Sequence, residues 1–240
     1  DGLKFAEWLA TDCPLHMHLA EQVAEVEEVE AAWGKRPVDW LLANHEVNER
    51  WCLIHCTQMT PDETTRLAAT GAVAGLCPIT ESSLGDGIFD GVRYLGAGGR
   101  FGVGSDSNVR ISLNDELRTL EYSQRLRDKG RAMLATAEKS TGRVLFDGAC
   151  AGGAQAAGRK SGAIAPGRLA DLVALDAGNA NLAGRSGDAL LDSFIFAGDD
   201  GLVIDVWSAG RHCVHDGNHM ARGRIIQRYI ETISELNNSL

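Results

Sequence analysis

The chain has 240 residues, enough for one large domain or two small ones, and its 44% hydrophobic and 23% charged residues are an ordinary globular mixture. Its 33 acidic and 23 basic residues leave a net charge of −10, which argues against nucleic acid or an anionic membrane as partner. No apolar run approaches the roughly 20 residues of a membrane span. The opening DGLKFAEWLATD has no signal-peptide pattern and no initiator Met. Six scattered cysteines without a CxxC pair read as reduced core residues of a cytoplasmic protein.

Residues 5–9 read as the end of a helix, and residues 14–19 as the first strand. That strand lies in the stretch LHMHLAEQ, residues 15–22. His16 and His18, two apart on a strand, point to one side, and Glu21 lies just past the strand end. Imidazole is the commonest metal ligand, and a free carboxylate beside it can shuttle protons for a metal-activated water.

Val23, Val26, Val29 and Ala32 among glutamates predict an amphipathic helix over residues 22–33, closed by Gly34. A short helix follows at 38–43. The apolar run WCLIH, residues 51–55, has the pattern of a strand buried on both faces. Thr60 as N-cap, Pro61 at the first position and Glu63 at the third start a helix that runs to Gly71. AVAGLC, residues 72–77, is another buried strand, closed by Pro78 and followed by a polar, glycine-rich loop, TESSLGDG.

A helix is expected over 90–97, then a short strand over 101–104 that ends in Ser105 and Asp106. Residues 114–129 form a strong helix with Leu117, Leu120 and Leu126 on one side, and two further helices are expected between 131 and 157. Strand and helix alternate throughout, which predicts a parallel sheet with crossover helices. Near residue 160 the texture changes to short β-type runs broken by Gly and Asp-Gly turns. The expected division is 1–160, a β-rich module over 161–222, and a terminal helix within 223–240.

Three expected strand ends carry chemistry: His18 with Glu21, then His55, then Asp106. In parallel α/β architectures the carboxyl ends of strands deliver side chains to one cleft, so these four groups form one candidate cluster. Plainer roles exist for each. A surface glutamate can hold His18, backbone can satisfy a buried His55, and Asp106 in Ser-Asp-Ser-Asn can cap a turn. His212, His215 and His219 in HCVHDGNH read as a polar hairpin, His45 as a solvated loop residue, and Cys52 and Cys56 as ordinary occupants of a buried strand.

LHMHLAEQ, LIHCTQMT and above all GSDSNVRISLNDELRTLEYSQRLR resemble the later barrel strands of the amidohydrolase superfamily, and within it the deiminases of N-formimino-L-glutamate. GAIAPGRLADLVALD resembles the small C-terminal β-sandwich of many superfamily members. The resemblance implies an α/β fold: the second half of a (β/α)8 TIM barrel over 1–160 and a β-sandwich module over 161–222. It implies one divalent metal, with zinc the expected ion. His18 is then the metal-binding histidine of barrel strand five, Glu21 the proton-shuttling carboxylate, and His55 the strand-six histidine that contacts the reacting group. Asp106 is the metal-ligand aspartate of strand eight, and His16 lies one layer deeper.

The superfamily's HxH pair of strand one does not precede Leu15 in this sequence. The expected partners are therefore a small-molecule substrate and the missing N-terminal half of the barrel, with a homodimer as a further candidate and neither nucleic acid nor membrane. Arg110 is the basic candidate for a substrate carboxylate. Two other functions stay open on the sequence: a deaminase of guanine-like or adenosine-like rings, and a non-catalytic fragment.

Overall fold

The computed structural model describes residues 2–9, 11–107 and 110–239. After a short helix, α1 (Gly2–Leu9), the chain enters β1 (Leu15–Leu19), and α2 (Val23–Trp33) and α3 (Pro37–Asn44) follow. β2 (Trp51–His55) leads to α4 (Pro61–Ala68), and β3 (Val73–Leu76) to α5 (Pro78–Leu84) and α6 (Gly91–Gly96). β4 (Arg100–Val103) leads to α7 (Leu113–Asp128) and α8 (Thr141–Ala156). The four strands pair in parallel in the order β1-β2-β3-β4, as expected of strands joined by crossover helices.

Alternation divides the sheet into two faces. Leu53, Ala74 and Phe101 share one register row. With Trp51 and Leu76 they join Leu41, Leu67, Tyr94, Leu117 and Leu145 in the buried core. The next row, His18, Ile54, Gly75 and Gly102, belongs to the opposite face. A Cβ at Gly75 would lie 2.7 Å from the Ile54 side chain and 2.9 Å from Cys52 Sγ, so any larger residue there must displace both side-chain ends.

Local chemistry sets the helix ends. Thr60 and Glu63 form a complete capping box ahead of α4, with Pro61 in the first turn. Ser112 and Ser140 cap α7 and α8 by accepting from Asp115 and Arg143 backbone N–H groups. The last turn of α8 ties to the amino ends of the strands. Gln155 Nε2 donates to Glu49 O and Gly71 O, each at 2.9 Å, just ahead of β2 and β3. Arg100 at the start of β4 donates to Gln155 Oε1 at 2.6 Å. The opposite, carboxyl end of the sheet is left for the functional side chains.

The second sheet is antiparallel: β5 (Leu172–Leu175), β6 (Val203–Ser208), β7 (Arg211–His215) and β8 (Asn218–His219). Among the described residues this part is one sheet, so a two-sheet sandwich is not formed by this chain's own strands. Between β5 and β6, α9 (Gly187–Phe196) returns to the helical layer. Asn114 donates to Phe194 O at 2.8 Å, Arg118 to Ile195 O at 2.8 Å, and Gly142 N to Asp192 Oδ1 at 2.7 Å. The terminal α10 (Arg222–Ser239) buries no residue. No helix among the described residues is long and apolar enough to cross a membrane.

Four expectations are corrected. TESSLGDG is not a loop throughout: α5 takes its first residues, because Pro78 fits a first turn and Cys77 N donates to Glu81 Oε1 at 2.8 Å. Residues 131–140 are irregular, and only one helix, α8, follows. Met133 N and Leu134 N donate to the buried carboxylate of Glu121 at 2.8 and 3.1 Å, which satisfies that backbone without a helix. Leu126 is 80% exposed, and the buried face of α7 carries Glu121 and Gln124 in its place. His45 is buried, with Nδ1 3.0 Å from Glu7 Oε2.

Candidate active site

Non-glycine residues with left-handed backbone sit where three strands end. Ala20 follows β1 (φ 51°), His55 ends β2 (φ 71°) with Cys56 next (φ 54°), and Asp106 follows β4 (φ 49°). Each costs of order 1–3 kcal/mol and persists only where surroundings enforce it, and such strain clusters at functional sites. At His55 it breaks the strand alternation. Register alone groups His55 with Leu19, yet its ring lies 5.4 Å from that of His18.

The β1 and β2 ends are cross-tied. Cys56 N donates to Leu19 O at 3.0 Å and Gln58 N to Ala20 O at 2.9 Å, while Thr57 Oγ1 donates to Ala20 O and Glu21 O. The Glu25 carboxylate accepts from Ala20 N at 2.8 Å and Glu21 N at 2.7 Å. Gln22 Nε2 donates to Asp86 Oδ1 at 3.0 Å, and Gln58 Nε2 to Asp86 O, so the loop after α5 is fixed to both strand ends. The Glu21 backbone is thereby held while its side chain keeps partial access to solvent.

His55 sits fully buried between two carboxylates. Nδ1 lies 3.3 Å from Glu81 Oε1, and Nε2 lies 3.6 Å from Glu21 Oε1, beyond hydrogen-bond reach. Nε2 is therefore a buried polar atom without a hydrogen-bond partner. Burial lowers the His55 pKa, but the Glu81 hydrogen bond and the charges of Glu21, Glu81 and Asp106 outweigh it and raise it above the ordinary histidine value.

Glu81 was not singled out in the sequence, where it falls within a polar stretch. Its signal was faint: a glutamate three residues after Pro78, at a strand end parallel to the others. It accepts from Cys77 N and fixes the His55 ring, so the tautomer with Nδ1–H leaves Nε2 facing Glu21. Glu116 was missed as well. It is buried, accepts from Ile79 N at 3.0 Å, and burial pushes its carboxyl up to about 7, helped by the charges of Glu81, Asp115 and Asp106.

The other candidates fall in different places. His18 and Asp106 are exposed at the carboxyl end of the sheet. Arg110 turns its guanidinium to Asp115, Nε to Oδ2 at 2.6 Å, at the start of α7. His16 Nε2 lies 2.8 Å from Ala156 O at the end of α8, a structural contact. Burial pushes the Cys52 thiol up to about 11 and that of Cys77 up to about 12, and holds Cys56 well above the ordinary thiol range. None of the three suits a thiolate nucleophile at neutral pH. Within the motif after β4, Asn108 and Val109 lie outside the described residues.

The donor chemistry suits a metal. His18 and Asp106 offer an imidazole and a carboxylate of the kind zinc takes, and His55 Nε2 is a buried polar atom without a hydrogen-bond partner among the described residues, with Glu21 Oε1 3.6 Å away. The set is partial. Among the described residues, the group of three metal-type side chains whose ligand atoms lie within 4.8 Å of one another is a different one, on the second sheet.

Comparison with known proteins follows the same lines. The family model described as "Amidohydrolase family" matches residues 4–213. The formimidoylglutamate deiminase of Pseudomonas aeruginosa is 49% identical over 226 residues, 94% of this chain and 50% of that protein. Among solved structures, an amidohydrolase from Brucella melitensis superposes with a TM-score of 0.91 at 48% identity, covering 98% of this chain and 52% of that one. An adenosine deaminase from Xanthomonas campestris, described with bound zinc, superposes with a TM-score of 0.86 at 25% identity, covering 98% and 53%. The chain thus spans about half the length of the relatives it matches, and it belongs to the amidohydrolase family.

Proposed function

We propose that this chain is the C-terminal part of a metal-dependent deiminase that hydrolyses N-formimino-L-glutamate to N-formyl-L-glutamate and ammonia. The observation that carries the reading is the strand-end cluster, with a buried His55 between Glu21 and Glu81 and its Nε2 unpartnered, in a chain 49% identical to a formimidoylglutamate deiminase over 94% of its length. The four parallel strands and their helices, within 1–160, are the second half of a (β/α)8 barrel. Residues 161–222 carry the small antiparallel sheet, with α9 between β5 and β6 packed back on the barrel helices, and 223–240 a terminal helix. The first half, with the remaining metal ligands, is supplied by further polypeptide.

In this reading His18 and Asp106 help hold one divalent ion, with zinc the proposed metal. Such an ion supplies Lewis acidity that makes water a nucleophile near neutral pH. Asp106 takes a proton from the water as it attacks the formimino carbon. Glu21, partly open to solvent beside His55, carries protons to the departing nitrogen, so that ammonia leaves in place of an amide anion. Glu81 holds the His55 ring so that Nε2 orients the substrate nitrogen or stabilises charge that develops there. Free buried cysteines suit a reducing, cytoplasmic setting.

The adenosine deaminase likeness favours a second reading, a deaminase of adenosine-like rings. Ammonia release by the complete enzyme separates the two. Turnover of N-formimino-L-glutamate well above that of adenosine and guanine supports the first, and the reverse order rejects it.

A further inference from the structure

The β6–β7 hairpin closes through Ala209 and Gly210, both with left-handed backbone (φ 49° and 79°), the conformation of a tight two-residue turn. Ser208 pairs with Arg211 and Trp207 with His212, but the register then shifts and Val206 pairs with Val214. Cys213 is the extra residue of a β-bulge. In a regular strand His212 and His215, three apart, would point to opposite faces. One inserted residue resets the alternation and turns both imidazoles to the face that carries Asp205 and Trp207.

The result is compact. His212 Nε2 lies 2.7 Å from Asp205 Oδ1, and His215 Nδ1 lies 3.9 Å from the same oxygen and 3.3 Å from Asp216 Oδ2. The two histidine rings stack at 4.7 Å, and Trp207 stacks on His212 at 4.5 Å, which restrains the ring's orientation. The ligand atoms of Asp205, His212 and His215 all lie within 4.8 Å of one another.

We propose that Asp205, His212 and His215 form a second metal site, on the antiparallel sheet and separate from the strand-end cluster, for a divalent first-row transition ion of the zinc class. Two neutral imidazole nitrogens and one carboxylate oxygen are a donor set that zinc accepts with solvent in the remaining position. A hydrogen bond alone explains the Asp205–His212 pair. It leaves out the third member: His215 is exposed, with Nδ1 3.3 Å from Asp216 Oδ2 and 3.9 Å from Asp205 Oδ1, so its ring stands beside both carboxylates. An ion between the three groups satisfies all of them at once, and both rings would release any bound proton to take it.

The test is Zn2+ titration by calorimetry of the full-length protein already loaded at its strand-end site. The expected result is uptake of about one further equivalent by the wild type, lost or weakened beyond the roughly 10–100-fold that changes around a metal's ligands cost in His215→Gln and Asp205→Asn. Turnover stays at the wild-type level in both variants. His215 is largely solvent-exposed, so its replacement leaves packing intact. No further Zn2+ uptake by the wild type, or equal uptake by His215→Gln, would overturn the proposal.

Discussion

Glu116 shows what burial does to a carboxyl beside other carboxyls. It is 2% exposed, Oε2 takes the Ile79 N–H, and Oε1 has no hydrogen-bond partner. Burial, with Glu81, Asp115 and Asp106 nearby, pushes it from 4.5 up to about 7. The unfolded chain loses this proton near pH 4.5, while the folded protein keeps it until about pH 7. The contribution is therefore fully present below the ordinary carboxylate pKa and is lost as pH rises through about 7. Its size is on the order of 3 kcal/mol. Glu116→Gln keeps an oxygen for Ile79 N and needs no proton. Urea unfolding at several pH values should show the variant gaining on the wild type between pH 5 and 8, and parallel pH profiles would reject the assignment. Nothing in NDELRT marks this glutamate as buried, because its burial is decided by α5 packing on α7.

At the scale of elements, α8 lies on β4 through glycine. A Cβ at Gly152 would fall 1.8 Å from Phe101 O, whereas one at Gly153 would meet nothing within 4 Å. Gly152→Ala must push α8 off the strand, at a cost of about 1–3 kcal/mol for overpacking. Gly153→Ala should instead gain up to about 1 kcal/mol from helix propensity. Denaturant midpoints compare the two, and equal shifts would show that the close approach is unimportant. Element types were largely legible in the sequence. Thr60, Pro61 and Glu63 announce α4, and WCLIH announces a buried strand. The misses came from side chains whose backbone or ring partners the pattern did not reveal, four residues away for Glu81 and a dozen or more for Glu121 and Glu7. Glu81 closes a helix turn over residues that read as a polar loop, Glu121 satisfies the backbone where a helix was expected, and Glu7 pairs with a histidine assigned to solvent.

At the scale of the molecule, the four parallel strands leave edges at β1 and β4 that no strand among the described residues pairs. His16 and His18 face outward from β1, while Phe5, Trp8 and Leu9 of α1 are at least 60% exposed. Apolar surface and open edges together suit a chain that packs against a further half of its fold. His18, Glu21, His55 and Asp106 were legible as site candidates because each stands at or just past a strand end. Glu81, which positions His55, was not, because its role depends on where β3 delivers it.

The most direct measurement is ammonia release from N-formimino-L-glutamate by the complete enzyme carrying Glu21→Gln, with metal content determined on the same sample. The account predicts retained metal and a fall in turnover of about 10²–10⁴-fold, the usual contribution of a general acid–base group. Near-wild-type turnover at unchanged metal content would contradict it.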